Sequence, residues 1–236
     1  KIMTNNYLSK SELNLAKKFI EKGYVVVKVD QVDSLKYLKD KILGFSANFL
    51  RTKKSLISKN FFNMAHKKID LGILNDFRLN IINQMSQDKD FKFHYFNLAK
   101  KTLYSLVGNE LAMQRKVNLS IQMPDDNSSL LPVHSDVWSG DSPFEVVVWI
   151  PLVDCFSTKT MFLLPPKANT LLSKKFKKMK DKNSETLFQL IKNDVEWLRV
   201  NYGEILIFNQ ALPHGNRINE EKETRWSMNC RFKGLF

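Results

Sequence analysis

His134 and Asp136, two residues apart in Leu131-Pro-Val-His-Ser-Asp-Val-Trp138, bring a nitrogen donor and an anionic oxygen donor to one place. In an extended segment residues i and i+2 point to the same face, roughly 6.6 Å apart along the chain. Both side chains can then close on one divalent cation. Two ligands do not make a site, and the one His further along is His214, in Leu212-Pro-His-Gly-Asn216. Two imidazoles and a carboxylate on one face of a metal leave positions open for exogenous ligands, a donor set that suits ferrous iron. Arg225, in Thr224-Arg-Trp-Ser227, follows His214 at a spacing of eleven. Its guanidinium offers a carboxylate a two-pronged grip, so the pattern points to a metal together with an acidic co-ligand.

These residues need a scaffold. Ser9-x-x-Glu12 is a capping box, followed by an apolar stripe of Leu13, Ala16, Phe19 and Ile20 and a stop at Gly23. Residues 24–29 read as a buried Val-rich strand, and residues 32–107 as mainly helical. Within that region residues 74–85 and 91–107 carry apolar spacings of three and four, with Gly108 as a stop. Beyond Leu111 the period changes to two, with Val117, Leu119, Ile121 and Met123 alternating with Asn118, Ser120 and Gln122. A polar loop over residues 124–129 leads into the His-x-Asp stretch. Strands are expected at 144–153 (carrying Trp149), at 160–164 before Pro165 and Pro166, and at 224–232. Residues 196–200 and 205–208 are expected to form a hairpin, and His214 and Arg225 to sit on paired antiparallel strands. The fold class is α+β in one domain over 1–236, helix-rich through about 110, with the strand core from about 115.

A chain of 236 residues is long enough for one large domain. Apolar and charged contents of 43% and 26% are those of a globular protein. A net charge of +13 favours anionic partners or reflects coding bias. Residues 167–182 hold seven lysines and one Asp, with Leu171, Leu172, Phe176 and Met179 on one side of a helix. Such a segment is a solvated face or a rim that draws in phosphate-bearing or acidic substrates. No motif or aromatic-interleaved basic stripe indicates nucleic acid. No apolar run spans a membrane, and no signal-peptide core opens the chain. Cys155 and Cys230 are expected to be reduced core residues, which suits the cytoplasm.

From residue 117 to 232 the chain resembles the Fe(II)/2-oxoglutarate-dependent dioxygenases. The likeness is to the phytanoyl-CoA dioxygenase-like branch, and within it to bacterial oxygenases of carbohydrate-biosynthesis clusters. The resemblance implies a double-stranded β-helix, a jelly roll of cupin type, with N-terminal packing helices. It implies that His134, Asp136 and His214 hold Fe(II), and that Arg225, helped by Ser227, binds the far carboxylate of 2-oxoglutarate. Trp149 falls where the family often has a cofactor-side aromatic, and Asn118, Ser120 or Gln122 could contribute from the preceding strand. The implied reaction consumes O2 and 2-oxoglutarate, yields succinate and CO2, and oxidises an unactivated C–H bond. Halogenating relatives lack the carboxylate, so Asp136 favours hydroxylation or a related oxidation. The implied substrate is a small molecule: a sugar, a nucleotide-sugar or a sugar-linked intermediate, phosphorylated or not, in surface polysaccharide synthesis.

Two other classes use the same triad without Arg225: a metal-dependent cupin-like isomerase, and a silent barrel that binds an anionic carbohydrate. Among the remaining residues, His94 reads as packed core, His66 as surface, and Asp125 and Asp126 as solvent-facing turn. Cys155 and Cys230 lack a neighbouring base that would make them nucleophiles. Arg231 could reach the pocket but has no spacing argument of its own.

Overall fold

The computed structural model describes residues 8–57, 60–175 and 183–235. The capping box forms as expected at the start of α1 (Lys10–Lys22), and Gly23, at φ 76°, ends it. Three further helices follow strand β1 (Tyr24–Lys28): α2 (Val32–Phe49), α3 (Leu71–Gln87) and α4 (Phe91–Asn97). A short α5 (Lys100–Leu106) completes the helical half, so the periodic run 91–107 is two helices broken at Leu98 and Ala99. In α3 the buried residues are Leu74, Phe77, Ile81 and Met85, the three-and-four spacing that puts one stripe against the core.

Six strands form one antiparallel sheet. β1 pairs with β7 (Glu204–Asn209), β7 with β4 (Val146–Pro151), and β4 with β9 (Arg225–Gly234). The far edge of β9 pairs with both β3 (Asn118–Gln122) and β2 (Leu111–Met113). Strand alternation divides the two faces of this sheet. On β9, Trp226 is fully buried and packs edge-on against Phe62 and Phe77 from the helical half. Burying such a side chain contributes about 1.5–3 kcal/mol or more. Tyr95 of α4 donates to Val148 O of β4 at 2.8 Å, closing the same helix–sheet layer. The opposite face of β9 carries Arg225, Asn229 and Arg231, which line a cavity.

A second, three-stranded antiparallel sheet runs β6 (Glu196–Trp197), β5 (Phe162–Leu163), β8 (His214–Gly215). It packs with Phe188 and Ile191 of α7 (Ser184–Ile191) and Leu172 of α6 (Pro166–Lys175) in a small apolar cluster. This arrangement corrects two expectations. Residues 196–200 and 205–208 do not form a hairpin, because β6 joins β5 in the small sheet while β7 lies between β1 and β4 in the large one. The turn at 201–203 therefore crosses between sheets. For the same reason His214 and Arg225 are not on paired strands, since β8 pairs with β5 and β9 with β4 and β3. The strand expected at 144–153 is shorter, and Phe144 is 82% exposed outside it. Phe176 and Met179, assigned to a helix side from sequence, lie outside the described residues. No helix among the described residues is long and apolar enough to cross a membrane.

Candidate metal centre and co-substrate pocket

His134 and His214 meet across an antiparallel backbone bridge between the His-x-Asp loop and β8. Each backbone N–H donates to the other residue's carbonyl, at 3.0 and 2.8 Å, and the rings lie 4.3 Å apart. Gly215 permits this approach. A Cβ there would sit 2.7 Å from Leu131 O and 3.0 Å from Phe162 Cζ, so any side chain would push the His134 strand away. The segment is extended only through Ser135, and Asp136 opens a 3-10 turn (Asp136–Ser139) instead of continuing a strand. Its carboxylate still falls beside His134, with Oδ1 at 3.4 Å from Nε2.

The second contacts fix which atoms remain for a metal. His134 Nδ1 bonds Pro132 O at 2.8 Å and His214 Nδ1 bonds Leu212 O at 2.9 Å. Both rings are thereby held with Nε2 available, the usual arrangement of a ligating imidazole. Asp136 Oδ2 accepts from Arg231 Nε at 3.3 Å and lies 3.2 Å from Nη2, which also reaches Asp141 at 3.3 Å. One donor atom from each of His134, Asp136 and His214 lies within 4.8 Å of the others, a group that can hold a metal. The titration of the three follows their surroundings. Burial lowers His214 to about 4, helped by the neighbouring His134. Burial also opposes charge on His134, but the Asp136 hydrogen bond and the Pro132 carbonyl outweigh it and raise this group. Asp136 is lowered against its burial by His134, His214 and Arg231. The triad thus tends towards a carboxylate and a neutral buried imidazole, the forms that bind a cation.

The same cavity, of about 670 Å³, reaches Arg225. That volume is in the range of pockets that enclose small organic ligands. Arg225 is 4% exposed. Its guanidinium donates to Thr160 O and Ser120 Oγ, each at 3.1 Å, and meets no carboxylate among the described residues. Its Nε and the Ser227 hydroxyl are buried without a hydrogen-bond partner among the described residues. Burial lowers the Arg225 pKa to about 10, a measure of how poorly this charge is compensated. A buried cation with spare donors, facing a cavity, fits the carboxylate of a bound acid.

Of the other residues singled out from sequence, Trp149 is 5% exposed on β4 and lines the cavity, as do Asn118 and Ser120 of β3. Gln122 shares their strand face but turns to the protein. It donates to Arg217 O at 2.6 Å and accepts from Asn216 Nδ2 at 3.4 Å. Asn216 in turn accepts from Leu131 N and so ties β8 to the start of the metal loop. Asp126 is not solvent-facing: it is 2% exposed and holds Ser128 N and Ser129 Oγ at 2.7 Å each, shaping the loop that walls the cavity. No described residue of α6 lines the cavity. Arg231, which from sequence could reach the pocket but had no spacing argument, lines the cavity; Arg225, Asn229 and Arg231 differ by even numbers on one strand and therefore share a face.

No protein-family model matches the chain, and no curated protein matches it. Solved structures do match. EvdMO1 superposes with a TM-score of 0.65 at 15% identity over 95% of this chain, which spans 50% of that protein. EctD from S. alaskensis with 2-oxoglutarate and 5-hydroxyectoine gives 0.58 at 14% identity, covering 100% of this chain and 79% of EctD. HygX from Streptomyces hygroscopicus with nickel and 2-oxoglutarate gives 0.54 at 14% identity, covering 97% and 88%. At these identities the likeness establishes the fold. EctD is crystallised with iron and with 2-oxoglutarate, and HygX with nickel and 2-oxoglutarate; this chain carries a His-Asp-His group that can hold a metal.

Proposed function

We infer that this chain is a non-haem Fe(II)- and 2-oxoglutarate-dependent oxygenase built on a double-stranded β-helix, of the phytanoyl-CoA dioxygenase-like branch. The observation that carries the reading is Arg225, a buried guanidinium with no acidic partner among the described residues, in one cavity with His134, Asp136 and His214. Neither a cupin-like isomerase nor a silent barrel that binds an anionic carbohydrate needs a guanidinium at that spacing from His214.

His134, Asp136 and His214 would hold the metal, and Arg225 with Ser120 and Ser227 would receive the far carboxylate of the keto acid. Bound ferrous iron and 2-oxoglutarate, with O2, supply the oxidation of a C–H bond. The chain's own residues orient and shield. Pro132 O and Leu212 O fix the imidazole rings, and Arg231 occupies one oxygen of Asp136 so that the other faces the metal position. Trp149, Met161 and Phe208 line the cavity and exclude water from the reacting centre. With Asp136 in the carboxylate position, hydroxylation is favoured over halogenation. The substrate class follows the resemblance: a sugar, nucleotide-sugar or sugar-linked intermediate of surface polysaccharide synthesis. Two buried thiols, Cys155 and Cys230, suit work in the cytoplasm. The test is succinate formation from 2-oxoglutarate under air with ferrous iron. Wild-type protein is expected to form succinate and His214→Ala none. No succinate, and no 2-oxoglutarate binding by metal-loaded protein, would end the reading.

A further inference from the structure

Three arginines line the cavity, and they are not equivalent. Arg231 is matched by Asp136 and Asp141, and Arg225 is reserved above for the keto acid. Arg78 has neither kind of partner. It sits half-buried on the α3 wall beside Leu71, Leu74 and Asn75. It donates from Nη2 to Asn75 Oδ1 at 2.9 Å, one helical turn back, and forms no ion pair among the described residues. That bond sets the guanidinium along the helix face without neutralising it.

Charge accounting then favours an anion. Asp136 is the one carboxylate among the described lining residues. A divalent metal and a keto diacid cancel each other, which leaves three guanidiniums against Asp136 and the share of Asp141 that Arg231 takes. The occupied cavity stays positive. Within a partly dry wall, a charge-assisted bond from a planar guanidinium is among the stronger polar contacts available. Asn118 and Asn229, joined Nδ2 to Oδ1 at 3.2 Å, line the same space and offer neutral hydrogen bonds to the rest of a polar molecule.

We propose that Arg78 docks an anionic group of the substrate, a carboxylate or phosphate ester, and so orients the remainder towards the triad. The proposal rests on the oxygenase reading and adds to it the substrate's charge and the residue that reads it. It also moves the recognition of negative charge from the lysine-rich segment after Pro165 to α3.

The test uses full-length protein loaded with Ni(II) and saturated with N-oxalylglycine, an unreactive analogue of the keto acid. Calorimetry then compares matched probes: glucose, glucuronate and glucose 1-phosphate, and glycerol, glycerate and glycerol 3-phosphate. At least one anionic member is expected to bind about tenfold or more tightly than its neutral partner. Arg78→Gln should erase that preference, with N-oxalylglycine affinity and melting temperature unchanged. The carboxylate and phosphate arms tell the two anions apart. Equal binding of neutral probes, no binding by any anionic probe, or a preference that survives in Arg78→Gln would overturn the proposal. Failure of N-oxalylglycine to bind the nickel-loaded protein would instead strike the oxygenase reading.

Discussion

Arg225 and Arg231 stand on one face of one strand, six residues apart, and their surroundings are opposite. Arg231 keeps 29% of its side chain exposed and touches two carboxylates. Arg225 is almost wholly buried and touches a carbonyl and a hydroxyl. A paired arginine of the first kind organises what the protein already owns, here Asp136. An unpaired one of the second kind is costly to fold around, since burying an ion without its partner is penalised by several kcal/mol. Such a residue is understandable when the missing partner arrives with a ligand.

The sharpest way to break this contrast is Arg225→Met. Loss of a buried partner of a ligand carboxylate costs on the order of 2–5 kcal/mol, so 2-oxoglutarate affinity should fall by about thirtyfold or more on that scale while metal binding persists. The ligand-free variant should melt at or above the wild-type temperature, because the methionine removes an uncompensated charge. Calorimetric titration and thermal melts read the two effects. A lower melting temperature with unchanged 2-oxoglutarate affinity would make Arg225 structural.

The triad end should respond to pH. His214 titrates at about 4 in the folded metal-free protein, below its ordinary 6.5. Between those values the unfolded chain binds the proton and the folded one does not. This contribution to stability is therefore complete above pH 6.5 and lost as pH falls towards 4, by about 3 kcal/mol at ~1.36 kcal/mol per pH unit. His134, raised, acts in the opposite sense and offsets part of the loss. Denaturant melts of metal-free wild type and His214→Gln across this window check it, and equal slopes would remove His214 as the cause.

Arg231→Gln should have a smaller effect. Partners that orient metal ligands are typically worth 10–100-fold in metal affinity, and Ni(II) or Co(II) titration should give a value in about that range, with 2-oxoglutarate binding to the metal-saturated variant retained. Ser120→Ala is the least change. It removes one of the two bonds to Arg225, worth about 1 kcal/mol, so 2-oxoglutarate binding should weaken about fivefold and metal binding not at all.

Much of this site was legible from residue types. His134, Asp136, His214 and Arg225 stand out because few other residues do metal and carboxylate chemistry. α1 announces its ends by capping and α3 its face by period, but the stripe read for α1 does not hold, since Leu13 and Ile20 are exposed and Leu15 packs against the core with Phe19 instead. Pairing was not legible. Short strands such as β5, β6 and β8 carry too few residues to state a partner, so the hairpin assigned to 196–208 divided between two sheets. Lys159 makes the same point. It is fully buried against Glu223 and Asn63, at 2.7 and 3.1 Å, and only the tertiary fold supplies those partners. Arg231 was within reach, given strand alternation from Arg225.

The most direct trial is an anaerobic titration of 2-oxoglutarate into Fe(II)-loaded protein, followed by visible charge-transfer absorption. Wild type should develop a saturable band that is absent without iron, absent in His214→Ala, and shifted to far higher 2-oxoglutarate concentration in Arg225→Met. No band in the iron-loaded wild type, or one that saturates identically in Arg225→Met, would contradict a metal centre paired with a carboxylate-binding arginine.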